Sequence, residues 1–120
     1  MSSTKNLGKK GEDLAINYLC KNGYKILASN WQYGKEEIDI VAETKELLVF
    51  VEVKLRSEEI FGKPYLAVNK AKQKKIIRVA NQFILQHNLD KEARFDIISI
   101  VFNKSKLEIE HIERAFFATI

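Results

Sequence analysis

The sequence predicts an α/β protein in which a five-stranded sheet carries one helix on each face, in the order helix, three strands, helix, two strands. Two stretches have apolar residues three and four positions apart, a spacing typical of helices, and five shorter runs have the apolar composition of strands. Because two helices on one face would leave the other face bare, we expect one helix on each side. The 120 residues contain no Pro-, Gly- or Ser-rich linker, so residues 1–120 are expected to form one domain.

The first helix and the first strand are predicted from local patterns. Apolar and small residues recur at helical spacing between Leu7 and Leu19, and Gly23 is well placed to end that helix. The next ten residues, YKILASNWQY, have the composition of a strand, and the polar residues GKEE indicate a break after it.

Two further strands follow this break, IDIVAE and LLVFVEVK. Only TKE separates them, so they are expected to form a hairpin, although the usual Asn-Gly or Asp-Gly turn signal is missing. If the hairpin turns on Lys45 and Glu46, its register places Asp39 directly across from Glu52.

The second half of the chain adds one helix and two strands. Asn69 is placed to cap a helix, whose predicted apolar row is Ile76, Ile77, Ala80, Phe83 and Ile84. The stretch RFDIISIVF is a continuous apolar strand, NKSK is a turn, and LEIEHI is an alternating strand. The polar face of this last strand predicts that it lies at the edge of the sheet.

Charged residues on the third strand form a candidate site. Glu52 and Lys54 share one face of this strand, and the predicted register brings Asp39 to about 5 Å from Glu52 at Cβ. In its own strand, Asp39 shares a face with Val41, opposite to Ile38, Ile40 and Ala42. Facing carboxylates destabilise a sheet, and a divalent cation bound by both would compensate. Oxygen ligands of this kind suit Mg²⁺ or Mn²⁺, so we expect a metal site with Lys54 beside it.

Glu12 is a further candidate for this site. It lies on the helical row of Ala15 and Leu19, at the margin of the face expected to pack on the sheet, where an unpaired carboxylate is costly. A structural interpretation stays open for the whole set: Glu-x-Lys occurs by chance on solvated strand ends, and acidic residues favour the first turn of any helix.

Three other polar features are interpreted as structural. Arg94 and Asp96 share a strand face and predict an ion pair. His87 and His111 have no metal-ligand spacing to a partner, so both are predicted to be surface residues.

Composition restricts the compartment and the partners. The net charge of +4 favours an anionic partner, and residues 61–80 contain basic residues without any acidic one. These basic residues are Lys63, Lys70, Lys72, Lys74, Lys75 and Arg78. A single cysteine, Cys20, excludes an internal disulfide and a cysteine-built metal site, which fits a reducing compartment. We found no apolar run of signal-peptide or membrane-spanning type, so we expect a cytoplasmic protein with no membrane partner.

Six motifs in this order resemble the PD-(D/E)xK nuclease superfamily, and the chain from about Leu7 to Ala115 resembles the YraN-like family of small bacterial proteins. The motifs are GKKGEDLAINYL, EIDIVA, VFVEVKLR, FGKPYLAV, KQKK and RFDIISI. Glu36 stands where the family usually has glycine, and Ile38 replaces the proline of the superfamily's name. The resemblance implies a restriction-endonuclease-like fold with a central mixed five-stranded sheet, similar to that of archaeal Holliday-junction resolvases.

The resemblance also implies a metal-dependent endonuclease that hydrolyses phosphodiester bonds in DNA. Branched or otherwise structured DNA is a possible substrate, and a homodimer is a possible oligomeric state. Asp39, Glu52 and Lys54 match the catalytic positions, Glu12 matches the helix carboxylate, and the carbonyl of Val53 is a further candidate ligand for Mg²⁺ or Mn²⁺. The residues expected to bind nucleic acid are Lys9, Lys10, Arg56, Lys70, Lys72, Lys74, Lys75 and Arg78. A non-catalytic nucleic-acid-binding protein of the same fold and a protein-interaction module are the alternatives.

Overall fold

The computed structural model describes residues 3–57, 68–103 and 106–118. The helices and strands in these ranges follow the predicted order: α1 (Ser3–Lys21), β1 (Lys25–Tyr33), β2 (Glu36–Glu43), β3 (Leu47–Ser57), α2 (Lys70–His87), β4 (Glu92–Asn103) and β5 (Lys106–Phe116). The predicted loop with Gly62, Lys63 and Pro64, and the middle of the NKSK turn, lie outside the described residues.

The five strands form one mixed sheet in the order β1-β2-β3-β4-β5. Strands β3 and β4 are parallel, because α2 carries the chain back between them, and the other neighbouring strands are antiparallel. Strand β5 lies at the edge, as its alternating sequence predicts. This arrangement is compatible with the restriction-endonuclease-like fold that the motifs imply.

The two helices pack on opposite faces of the sheet, as predicted. Buried residues on the α1 side are Ala15, Leu19, Ile40, Ala42, Val49, Val51, Ile98 and Ile100. Buried residues on the α2 side include Val41, Leu48, Phe50, Val79, Phe83, Phe95 and Ile97. Each apolar face of the sheet is therefore covered by one helix.

The predicted helix ends are confirmed. Gly23 has a φ of +88°, and behind it Tyr24 donates its backbone N–H to the carbonyl of Leu19 at 3.0 Å. This left-handed residue and backward hydrogen bond form the usual glycine ending of a helix. At the start of α2, the side chain of Asn69 accepts a hydrogen bond from the backbone N–H of Lys72 at 2.9 Å.

The break between β1 and β2 is shorter than predicted. Tyr33 already pairs with Glu36, so the turn contains only Gly34 and Lys35, and Glu37 also belongs to β2. A two-residue turn needs a left-handed backbone, and Gly34 supplies it with a φ of +65°. Two residues of the predicted polar break therefore have strand geometry.

The β2–β3 hairpin turns on Lys45 and Glu46 and pairs Ile40 with Val51, which is the predicted register. Thr44 supplies the missing turn signal, because its Oγ1 accepts hydrogen bonds from the backbone N–H groups of Leu47 and Glu46 at 3.1 and 3.3 Å. The register brings Asp39 to the position across from Glu52, immediately beyond the last pair.

One prediction about strand faces is wrong. Ile38 packs with Val41 on the α2 side, although simple alternation along β2 places them on opposite faces. The neighbouring strand explains the difference, because Trp31 pairs with Ile38 and the preceding residue, Asn30, has a φ of +50°. A left-handed residue interrupts the regular pleat, so the alternation reverses beside Asp39.

Among the described residues, we found no helix with the length and apolar character that crossing a membrane requires.

Candidate metal centre

The candidate site lies where the pairing between β2 and β3 ends. Asp39 is partly buried there, and its Oδ2 accepts a hydrogen bond from the backbone N–H of Val53 at 2.8 Å. The side chain thus satisfies a strand N–H beyond the end of the ladder. Because the N–H and C=O of one strand residue project to the same side, the carbonyl of Val53 also faces β2.

Glu52 lies next to this point and is 7% exposed. Its Oε2 is 3.4 Å from Nζ of Lys54 and 3.8 Å from Nζ of Lys72. The first contact joins two predicted site residues. The second contact joins β3 to the first turn of α2, and it places Lys72 beside the site rather than among the exposed lysines of its helix.

A second group of carboxylates approaches Asp39 from the α1 side. One carboxylate oxygen from each of Glu12, Glu37 and Asp39 lies within 4.8 Å of the other two. The amide of Asn30 holds two of these residues together, because its Nδ2 donates to Oε2 of Glu12 and to Oε2 of Glu37, both at 3.0 Å. The left-handed Asn30 of β1 is thus part of the site.

Glu37 is a site residue that the sequence pattern did not predict. The pattern assigns it to the polar break before β2, whereas the structure places it in the strand, two positions before Asp39. Strand alternation puts carboxylates two positions apart on one face, and this was the available signal. Glu52 is not a member of the group with Glu12. Asp39 is therefore the link between a carboxylate on the α2 side and two on the α1 side.

The electrostatic environment of Asp39 is unusual. Burial raises the pKa of this carboxyl group from 3.8 to about 7, and the neighbouring carboxylate of Glu52 contributes in the same direction. The hydrogen bond from Val53 lowers the pKa, whereas the charges of Glu12 and Glu37 raise it further. The hydrogen bond from Val53 does not offset burial and the neighbouring carboxylates, so the charged form of Asp39 is disfavoured. Strongly shifted pKa values of this kind are typical of functional sites.

The residues predicted to bind nucleic acid have three different environments. Six of them are exposed: Lys9, Lys10, Lys70, Lys74, Lys75 and Arg78. Arg56 is partly buried on β3, two residues after Lys54, and Lys72 contacts Glu52. The exposed residues belong to α1 and α2, which lie on opposite faces of the sheet. They do not form one continuous row.

Ser99 is a further polar residue near the site. It is fully buried on β4, pairs in register with Lys54, and has no hydrogen-bond partner for its Oγ among the described residues. No sequence signal singles it out, since it lies within a continuous apolar strand.

A second polar cluster lies on the α1 side, around Asp96. Arg94 donates to both carboxylate oxygens of Asp96 at 2.9 and 2.7 Å, so the predicted ion pair is confirmed. His111 is not a surface residue: its side chain is 6% exposed, and Nε2 lies 2.7 Å from Asp96. Its Nδ1 lies 3.1 Å from the hydroxyl oxygen of Tyr18 on α1. The prediction failed because β5 pairs His111 with a core strand.

The carboxylate of Asp96 is well compensated, in contrast to that of Asp39. Burial by itself would raise the pKa of Asp96, but hydrogen bonds from His111, from Arg94 and from the backbone N–H of Arg114 outweigh it. The pKa of this carboxyl group therefore lies below its usual value. We interpret the cluster as a satisfied structural network.

The other histidine agrees with its prediction. His87 is exposed at the end of α2, and its ring stacks on that of Phe83 with centroids 4.1 Å apart. Its Nδ1 lies 2.9 Å from the carbonyl of Phe83, one turn earlier in the same helix. These contacts are local to the helix end, which is consistent with a surface residue.

Comparison with known proteins gives a consistent family assignment. A model of the uncharacterised protein family UPF0102 matches residues 11–100. A UPF0102 protein from Flavobacterium psychrophilum is 44% identical over 117 residues, 98% of each chain. A UPF0102 protein from Geobacter metallireducens is 48% identical over 113 residues, 93% of each chain.

Similarity to solved structures is much weaker. A chain of SfsA from Pyrococcus furiosus, in complex with Ca²⁺, superimposes with a TM-score of 0.34 and 15% sequence identity. The match covers 92% of the present chain and 63% of the SfsA chain.

Proposed function

This chain belongs to the uncharacterised protein family UPF0102, the YraN-like family that its motifs resemble, and we propose that it is a divalent-metal-dependent endonuclease acting on DNA. The observation that supports this proposal most is the environment of Asp39. Its partly buried carboxyl group has a pKa of about 7, because it is buried and the carboxylates of Glu52, Glu12 and Glu37 face it from two sides. A bound cation is the simplest compensation for this convergence of negative charge.

The donor set fits a hard divalent cation. The oxygens of Glu12, Glu37 and Asp39 are close enough to share one ion with small side-chain adjustments, since ligand distances are about 2.0–2.6 Å. Glu52 and the carbonyl of Val53 are the candidate ligands on the other side of Asp39. A set made only of oxygens favours Mg²⁺ or Mn²⁺ over Zn²⁺. When bound, such an ion supplies Lewis acidity and neutralises phosphate charge.

The chain's own residues then have distinct roles. Asp39 would hold the cation together with Glu12 and Glu37 from the α1 side and Glu52 from the α2 side. Lys54 presents an ammonium group 3.4 Å from Glu52. A lysine in this position stabilises the charge that gathers on the phosphate in the transition state. In the hydrolysis, a water oxygen bonds to phosphorus and the bond to one ester oxygen breaks. One water proton ends on the departing hydroxyl and the other is released to solvent.

Cleavage assays with labelled DNA test this proposal directly. The wild-type protein is incubated with linear, flap and four-way-junction DNA in Mg²⁺, Mn²⁺ or chelator, beside Asp39→Asn, Glu52→Gln and Lys54→Ala. We expect metal-dependent cutting by the wild type, and loss of metal binding in the two carboxylate variants, because an amide keeps the shape without the charge. Lys54→Ala should bind the ion and lose at least about a hundredfold in rate.

The metal-binding arm uses thermal melting, which does not depend on turnover. Millimolar Mg²⁺ should raise the melting temperature of the wild type and of Lys54→Ala, but not that of Asp39→Asn. Metal-independent melting together with no cutting of any substrate would refute the nuclease. DNA binding without cutting would favour the non-catalytic nucleic-acid-binding alternative.

A further inference from the structure

The five basic side chains of α2 do not share one environment. Four of them are exposed: Lys70, Lys74, Lys75 and Arg78. The fifth, Lys72, has a side chain that is 42% exposed, and its Nζ lies 3.8 Å from Oε2 of Glu52. The helix therefore presents one lysine to the candidate metal centre and the other basic residues to solvent.

The position of Lys72 is fixed by the start of its helix. Asn69 accepts a hydrogen bond from the backbone N–H of Lys72, and the side-chain amide of Gln73 donates to the carbonyl of Val68 at 3.0 Å. Val68 is 2% exposed and belongs to the α2-side core. Because these contacts anchor the first turn, Lys72 projects toward Glu52 from a rigid element.

Two ammonium groups meet one carboxylate oxygen on this side of the site. Lys54 and Lys72 lie 3.4 and 3.8 Å from the same Oε2, and the side chain of Glu52 is 8% exposed. Two positive charges next to one negative charge leave a local positive excess. The α2 side of the centre is therefore basic.

The α1 side has the opposite character. One carboxylate oxygen from each of Glu12, Glu37 and Asp39 lies within 4.8 Å of the other two. The centre is thus polarised, with carboxylates on one side and two lysines on the other. A cation is favoured on the acidic side, and an anion that carries oxygen acceptors is favoured next to the lysines.

We propose that Lys72 is a second lysine of this centre and binds a non-bridging oxygen of the phosphate group that is cut. This inference rests on the proposed function. Lys54 and Lys72 would exchange their shared contact with Glu52 for two oxygens of one phosphate when Glu52 turns to the cation. Lys72 thereby has a role distinct from that of the exposed lysines of α2, which contact the nucleic-acid backbone away from the site.

A purely structural role for Lys72 makes a different forecast. If the residue only neutralises Glu52, its replacement lowers the melting temperature and leaves phosphate binding unchanged. If it binds phosphate, its replacement weakens phosphate binding whatever happens to the melting temperature. Phosphate affinity therefore separates the two roles.

The experiment is a calorimetric titration of inorganic phosphate into the full chain in the presence of Mg²⁺. It compares the wild type with Lys72→Met, Lys72→Arg and Lys45→Met. Lys45 is an exposed residue of the β2–β3 turn, and its replacement removes the same charge outside the site. We expect Lys72→Met to weaken phosphate binding by about tenfold, Lys72→Arg to retain most of the affinity, and Lys45→Met to match the wild type.

A cleavage assay on DNA completes the test. Lys72→Met should lower kcat by about tenfold or more with little change in KM, since the contact strengthens as charge develops on the phosphate. Equal phosphate affinity of the wild type and Lys72→Met, or no phosphate binding by the wild type with Mg²⁺, would overturn the assignment of Lys72. If phosphate binding depends on Lys72 but no DNA is cut, the assignment of Lys72 as a phosphate ligand is supported. The same result refutes the proposed nuclease function.

Discussion

Asp39 joins the two halves of the candidate site. Its carboxyl group accepts the N–H of Val53, faces Glu52 on the α2 side, and lies within 4.8 Å of oxygens of Glu12 and Glu37 on the α1 side. The properties of this single residue should therefore dominate how the chain responds to pH and to metal.

The pKa of Asp39 leads to a prediction about stability. Because this pKa rises from 3.8 to about 7, the folded chain keeps a proton that the unfolded chain has lost between these values. The free energy of unfolding should fall as the pH rises from about 4 through about 7. Asp39→Asn, which has no such proton, should be more stable than the wild type at pH 8 without metal, by at most about 4 kcal/mol. Urea denaturation at pH 5 and pH 8 measures this difference.

The matched control is Asp90→Asn, which replaces an exposed aspartate. It should not raise the free energy of unfolding at pH 8 without metal. Added Mg²⁺ should stabilise the wild type at pH 8 and leave Asp39→Asn unchanged. A variant less stable than the wild type at pH 8 in chelator would show that the carboxylates around Asp39 do not repel one another.

Helix α1 places Glu12 by packing closely on β3. Gly11 is buried, and a Cβ atom there would collide with Cδ1 of Leu55, whereas a Cβ at Gly8 would meet nothing within 4 Å. We expect Gly8→Ala to stabilise the chain by about 0.5–1 kcal/mol, since alanine favours a helix. Gly11→Ala should instead destabilise it by about 1–3 kcal/mol through overpacking. Urea denaturation of both variants tests this, and an equal gain in both would contradict the close packing.

Helix α2 exposes Lys74 and Lys75, and the proposed function predicts that they contact phosphates without reading the base sequence. Replacing Lys74 and Lys75 by alanine should weaken binding to all DNA sequences alike, because both side chains are exposed and read no base pattern. The slope of log K against log salt should decrease by about 0.9 for each lost contact. Fluorescence anisotropy at several salt concentrations provides the slope, with Lys45→Ala as the charge-matched control. A slope equal to that of the wild type would show that Lys74 and Lys75 of α2 do not contact the DNA phosphates.

Over the whole molecule, the edge strand β5 exposes both apolar and acidic side chains. Glu108 and Glu110 alternate along it with Leu107 and Ile109, which are 43% and 36% exposed. We expect a homodimer paired along β5 that becomes tighter with salt, because salt screens the glutamates. Sedimentation at micromolar concentration should show a species of twice 13.9 kDa that Ile109→Lys dissociates. A single species near 13.9 kDa at all salt concentrations would exclude this dimer.

The order of elements and several local details could be predicted because they depend on residues close in sequence. Gly23 and Asn69 end and begin helices through their own backbone or side chain. The register of the β2–β3 hairpin follows from the length of its turn, so the sequence alone predicts the position of Asp39 relative to Glu52.

Other features of the site required the tertiary structure, because they depend on residues far apart in the chain. Glu12 and Glu37 meet through the amide of Asn30, 18 residues from the first and seven from the second. His111 is buried because β5 pairs with β4 and α1 lies above it. The spacing of apolar residues in the sequence shows which face of a helix or strand is apolar. It does not show which residue of another element lies against that face.

Local turns and alternation were sufficient to predict the α/β order, the two faces of the sheet and the pair of carboxylates on adjacent strands. The left-handed backbone of Asn30, the place of Glu37 among the carboxylates and the contact of Lys72 with Glu52 became visible only in the folded chain. They could not be predicted because these contacts join different elements. Their geometry depends on how two helices and a twisted sheet pack together, and that packing is a property of the whole chain.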